Sequence, residues 1–356
     1  MSAPISTTSP GSPAARTLRI GTRRSALATT QTGHVAAALA ARGQATELVE
    51  ITTDGDRSQA SGAPLAGSST TGVFVSALRD ALLDGRVDVA VHSLKDLPTS
   101  PEPGIALVAI PLREDPRDVV VARDGLTLGE LPVGSVVGTG SPRRAAQLSA
   151  LGLGVEVRGL RGNVDTRIGK VTAGEYDAVV LARAGLARLG RLEEATEVLD
   201  PLQMLPAPGQ GALAIECRAD DDATLAALTA LDDPASRAAV LAERATLATL
   251  EGGCSAPIGA LAEVAEGEDP DRPELWLRAI ALSDDGALAV RKSASTVLGA
   301  DPAAWGADAT ALGDRLATEM LEDGADRLRG GDSTQQDQQD PQDPHTTARS
   351  AEVHDA

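Results

Sequence analysis

The residues best able to do chemistry lie in the stretch Val91-His92-Ser93-Leu94-Lys95-Asp96-Leu97-Pro98. An apolar run over 87–91 reads as a buried strand, and Pro98 stops it from continuing. Ligands of open α/β sheets sit just beyond the carboxyl ends of strands. Lys95 and Asp96 are therefore expected to face a cleft, where a carboxyl group beside an ammonium can exchange protons. Arginines gather at three further strand ends: Thr22-Arg23-Arg24-Ser25, Ser141-Pro142-Arg143-Arg144 after Gly138-Thr139-Gly140, and Arg161-Gly162-Asn163-Val164-Asp165-Thr166-Arg167. Each set joins guanidinium forks to the free backbone N–H groups of a helix start, a pairing that binds carboxylates or phosphates. An arginine in a first helical turn opposes the helix dipole, so structure alone gives it little reason to be there. The implied ligand carries several negative charges, spread widely enough to need two lobes.

The two cysteines differ in setting. Cys217 lies inside a strand-like run and reads as a buried small hydrophobe. Cys254 lies in Leu250-Glu251-Gly252-Gly253-Cys254-Ser255-Ala256-Pro257, a tight loop between a helix and a strand that suits an exposed thiol reaching a partner. Two cysteines in 356 residues make no disulfide framework. With the four histidines they show no metal-ligand spacing, so no metal site is expected.

The elements that must position these groups alternate. Strands are expected at 17–23, 47–52, 87–91 and 107–110, with a helix from Ser25 to Arg42 and another over 74–83. The segment 54–72 is Gly-, Ser- and Thr-rich and reads as a mobile lid. A second unit has strands at 119–122, 135–138, 155–158 and 178–181, with helices at 143–150, 164–173 and 184–189. This alternation predicts an α/β fold with mostly parallel sheets and helices on both faces. The run 211–217 is one more strand, returning to the first unit, so two crossing strands would form a hinge. Beyond it come a helix over 236–250, strands at 258–264, 275–282 and 288–294, and a helix over 308–328, a small C-terminal α+β domain. The expected domains are 17–113 with 210–230, then 114–209, then 231–329.

Composition bounds the function. Hydrophobic residues make up 42% of the chain but aromatics only 1%, so the cores must be packed with Ala, Leu, Val and Ile. A net charge of −19 argues against nucleic acid or an anionic membrane as partner. No apolar run approaches a membrane span. Residues 1–16 are Ser-, Thr- and Pro-rich without an apolar signal segment and read as a disordered lead, which points to the cytoplasm. Residues 330–356 have no means of burying a core and read as a disordered tail.

Several motifs, in order, resemble one family closely: the Val91–Pro98 stretch, Arg113-Glu114-Asp115-Pro116-Arg117-Asp118, Gly138 to Arg144, Arg161-Gly162-Asn163-Val164, Pro208-Gly209-Gln210-Gly211 and Glu251-Gly252-Gly253-Cys254. Together they look like hydroxymethylbilane synthase, also called porphobilinogen deaminase. The resemblance covers about 18–328. It implies two domains similar to periplasmic anion-binding proteins and a third carrying a dipyrromethane cofactor through a thioether, here to Cys254. The implied reaction joins four porphobilinogen units head to tail, releases ammonia at each step and hydrolyses the chain off as hydroxymethylbilane. Each pyrrole bears an acetate and a propionate, which the arginine clusters suit. By the same resemblance Asp96 is catalytic. Cofactor contacts fall to Ser93, Lys95, Thr139, Ser141, Arg143, Arg144, Arg161, Gly162, Arg167 and Arg188, and substrate contacts to Arg23, Ser25, Gln31, Phe74 and Gln210. The family's usual lid lysines are missing from 64–74, which leaves Arg24 or Arg57 to replace them. The expected molecule is a monomer without nucleic-acid or membrane partners. The alternative is a non-catalytic two-lobed binder of polycarboxylates.

Overall fold

The computed structural model describes residues 16–51, 70–250, 257–267, 269 and 272–329. The proposed lid up to residue 69, the Cys254 loop, the lead up to residue 15 and the tail from residue 330 lie outside the described residues.

The first lobe is a five-stranded sheet in the order β2-β1-β3-β10-β4. It is built from β1 (Leu18–Thr22), β2 (Thr46–Glu50), β3 (Val89–Ser93), β4 (Ile105–Ala109) and β10 (Leu213–Arg218). Helices α1 (Ala26–Ala40) and α2 (Thr70–Leu83) link the first three strands. The second lobe repeats the plan in the order β7-β6-β8-β5-β9. Its strands are β5 (Asp118–Ala122), β6 (Val136–Thr139), β7 (Glu156–Gly159), β8 (Ala178–Ala182) and β9 (Glu197–Val198). Its helices are α3 (Pro142–Ala150), α4 (Val164–Thr172) and α5 (Arg183–Arg188). After β10, α6 (Asp222–Thr229) leads to α7 (Pro234–Thr249). A third, antiparallel sheet follows, of β11 (Ile258–Ala265), β12 (Glu274–Leu282) and β13 (Ala289–Val297), and then α8 (Trp305–Glu322).

The sheets are not mostly parallel. In each lobe two strand pairs are parallel and two are antiparallel. The reason is that β5 and β10 enter from the other lobe, against the direction of their neighbours. Their reading as crossing strands and the mixed direction of the sheets are one fact. Two further differences are small: β9 has two residues, too few for a pattern, and the helix expected over 308–328 ends at Glu322. Gly324, at φ +91°, turns the chain there into a short 3-10 segment at Ala325–Arg329.

The three arginine-bearing helices start alike. Ser25, Ser141 and Asn163 are N-caps, each side chain accepting from a backbone N–H three residues on. Pro142 adds a preset φ at the head of α3. The cores are aliphatic, as the composition requires. The third domain packs Ala238, Ala242, Leu277, Ala309 and Leu316 between its sheet and its two helices. Gly313 lets those helices touch, since a Cβ there would lie 2.3 Å from the Ala242 carbonyl. The few aromatics are placed apart. Tyr176 is buried in the second lobe and donates to the Gly159 carbonyl at 2.8 Å. Trp276 and Trp305 both belong to the third domain, on β12 and at the start of α8.

Candidate active site

A cavity of about 350 Å³ opens between the two lobes. The first lobe contributes Arg23, Ser25 and Gln31 from the start of α1, and His92, Ser93, Lys95 and Asp96 from the end of β3. The second contributes Arg144, Gly162, Asn163, Asp165 and Arg167. The strand ends and helix starts singled out by type thus converge, because both lobes turn the carboxyl ends of their parallel strands toward one cleft. Asp96 closes a single 3-10 turn, Leu94–Asp96, held by the fully buried Leu94. Its carboxylate accepts no hydrogen bond among the described residues. The other lining carboxylate, Asp165, is paired with Arg191.

The cations are crowded. Burial and the charge of Arg144 pull the Lys95 ammonium down to about 8, against the opposing pull of Asp96 and Asp118. Burial and Arg144 likewise lower the Arg167 guanidinium. Such shifts mean that positive groups have been desolvated without enough carboxylate nearby. Behind the wall a buried network fixes them. Lys95 Nζ donates to Gln210 Oε1 at 3.1 Å, and Gln210 Nε2 donates to the Pro116 carbonyl and to Asp118 Oδ1, both at 2.7 Å. Asp118 also accepts from Arg143 Nη2 and Arg144 Nη2, each at 2.7 Å. Those charges hold its carboxyl well below the usual range despite complete burial. A second buried set backs His92, whose Nε2 lies 3.3 Å from Glu216 Oε2. Glu216 is held at about 2 by His92 and Arg79 against its burial.

Not every expected residue faces the cavity. Arg143 is enclosed, bonded to Asp118 and the Leu205 carbonyl, and Gln210 is 1% exposed behind Lys95. Thr139 is buried under the loop, its hydroxyl accepting from Ser141 N at 3.2 Å. Ser141 caps α3 away from the lining, and Arg161 is exposed outside it. Arg188 points to a different cavity and donates to the Gly211 carbonyl at 2.6 Å. Phe74 lies in α2, but its side chain and all of Cys254 are outside the described residues. Arg24 turns outward to Glu50, 2.9 Å away. Asp118 and Glu216 drew no functional reading from the sequence. The available signal was an acid inside or beside a wholly apolar strand, which demands a cationic partner.

The family model for the porphobilinogen deaminase dipyrromethane-cofactor-binding domain matches residues 18–226, and that for the porphobilinogen deaminase C-terminal domain matches 237–322. The chain belongs to the porphobilinogen deaminase family. A porphobilinogen deaminase of Mycobacterium tuberculosis is 58% identical over 317 residues, covering 88% of this chain and 99% of the relative. One from Mycobacterium avium is also 58% identical, covering 88% and 97%. Among solved structures, an arginine-specific periplasmic binding protein of Salmonella typhimurium is similar at a TM-score of 0.36 and 16% identity, over 61% of this chain and 92% of that one. As a porphobilinogen deaminase the chain is a transferase with hydroxymethylbilane synthase activity in tetrapyrrole biosynthesis, and a non-catalytic binder is not favoured. Its cofactor is dipyrromethane. The donor set of the cavity fits that group: Arg23, Lys95, Arg144 and Arg167 surround a space suited to pyrroles bearing carboxylates.

Proposed function

We propose that Asp96 is the acid–base residue of this porphobilinogen deaminase and that Cys254 carries its dipyrromethane. The single observation that supports the first assignment is a carboxylate with free acceptor capacity on a wall whose other charges are mainly positive. Asp96 would give its proton to the leaving aminomethyl nitrogen of porphobilinogen as the carbon–nitrogen bond breaks and ammonia departs. Left as a carboxylate, it would then balance the positive charge on the substrate pyrrole. Lys95, Arg144 and Arg167 would hold carboxylates of the pyrrole chain, and Arg23 and Ser25 those of the incoming substrate. Gln31, whose amide donates to Ser93 Oγ at 3.1 Å, would fix the floor between them. Arg143, Gln210 and Asp118 would position Lys95 and Arg144 from behind. Bound dipyrromethane supplies the pyrrole end to which the first substrate ring is joined.

This reading divides labour by domain: 17–113 with 210–230 for acid–base work, 114–209 for carboxylates, and 231–329 for the cofactor thiol. We take the enzyme to be a cytoplasmic monomer; its acidic net charge disfavours self-association and binding to nucleic acid or an anionic membrane. Size-exclusion chromatography with light scattering tests the monomer.

The decisive experiment is Asp96→Asn in protein shown by mass to be loaded. General acid–base catalysis is worth about 10²–10⁴-fold. Turnover should fall by roughly three orders of magnitude with an unchanged melt. Retention of more than about a tenth of wild-type turnover would make another group the acid. For the thiol, Cys254→Ser should give protein at its unmodified mass, whereas Cys217→Ser keeps the adduct. Cys217 is fully buried and its thiol is pushed up to about 11 by that burial, which suits it poorly as an attachment point.

A further inference from the structure

A second cavity, of about 460 Å³, lies farther along α1 toward its C-terminal end, where His34, Val35, Ala38 and Arg42 line it, whereas the active-site cavity is lined by the first turns up to Gln31. Its walls come from α1, from the end of α5 and from the α6–α7 turn. They also include both passages between the lobes, the segment before β5 and the start of β10. From these walls we infer that this cavity is a separate binding site for an amphipathic carboxylate, a small apolar body bearing acid groups.

The lining is apolar over Val35, Leu213 and Leu231, interrupted by three carboxylates and three nitrogen bases. The carboxylates already have partners. Glu114 accepts from the backbone of Asp115 and from Arg183, and Asp232 from Ile110 N and Arg237 Nε. Asp233 caps α7 through Ser236 N. The bases do not. Arg188 donates only to the Gly211 carbonyl, Arg42 only to the Ala38 carbonyl, and His34 to nothing among the described residues. Burial depresses the Arg188 guanidinium even with Glu114 nearby. The spare bonding capacity is therefore mostly that of donors, around a hydrophobic floor, in a volume typical of small-molecule sites. An occupant would touch both lobes and both passages at once, bracing the hinge and slowing turnover without competing for the substrate cleft.

Isophthalate is a suitable probe: a flat apolar ring with two carboxylates. Calorimetry on the loaded enzyme should show a site for isophthalate that depends on His34 and Arg42. Isophthalamide, the neutral counterpart, should not bind, and inorganic phosphate, lacking the apolar body, should bind more weakly. The double variant His34→Ala/Arg42→Ala removes two exposed bases, so its melt and basal turnover should match wild type. Its affinity for isophthalate should fall about tenfold or more. With wild type, isophthalate should lower kcat at constant KM. Equal affinity in the double variant, or no binding at all, would overturn the site. Binding with no change in kcat would overturn the bracing.

Discussion

Enclosed at the start of β5, the Asp118 carboxylate has no water to solvate it, and four N–H groups from Arg143, Arg144 and Gln210 take water's place. Breaking such a pair strands buried charge and costs about 3–5 kcal/mol. Asp118→Asn should therefore lower the unfolding free energy from chemical denaturation by that order, while a surface acid such as Asp84→Asn leaves it unchanged. Because its folded pKa is depressed, Asp118 stabilises the protein above the ordinary carboxyl range, and that contribution is lost on acidification. Lys95 shifts stability with pH in the same sense, although there it is the charged form that the site penalises. Its ammonium, lowered from 10.5 to about 8, makes the folded state bind fewer protons than the unfolded state between those pH values. Between about pH 8 and 9, below the range where Cys217 contributes an opposing slope, cofactor-free protein should gain stability as pH rises, and carboxylate affinity should fall as Lys95 loses its proton. Lys95→Met should abolish both slopes in pH-dependent melts and binding titrations. At this scale the sequence is a good guide to which residues are cations and a poor one to where they point. Adjacent in the chain, Arg143 and Arg144 look equivalent, yet only Arg144 reaches the cavity, because the helical step turns its neighbour toward the Leu205 carbonyl.

Strands such as β8 and β10, apolar and bounded by turn residues, are legible from periodicity, as are the helices between them. Strand direction is not, because it depends on which lobe the chain enters from, a long-range fact with no local signature. The same holds for β9, whose pairing with β5 decides its existence. The two passages between lobes meet at Gly211, where φ is +87° and an added Cβ would lie 2.3 Å from the Glu114 carbonyl. Only glycine meets both conditions without backbone movement. Gly211→Ala carries about 1–3 kcal/mol of conformational strain before the clash is counted. We expect a lower melting temperature and reduced kcat, since the passages that set the lobes' approach must separate. Calorimetric melts with steady-state kinetics check both, and a variant with wild-type values in each would remove Gly211 from the hinge.

Over the whole molecule, residues 330–356 add length and polarity without an apolar pattern. Truncation after Leu328 should leave melting temperature and turnover nearly unchanged, and a drop of more than a few degrees would mean that the segment docks. The scarcity of aromatics has an optical consequence. The chain has two tryptophans, and Trp276 and Trp305 both sit in the third domain, while its one tyrosine, Tyr176, reports from the second lobe. The first lobe's region has only Phe74 and is nearly silent in the near ultraviolet. Intrinsic fluorescence excited at the tryptophan edge is therefore a domain-resolved signal, blind to the lobes that hold the charge network. A fluorescence melt that precedes the loss of backbone dichroism would mean that the third domain comes apart first, and coincident curves would mean that all three domains melt as one.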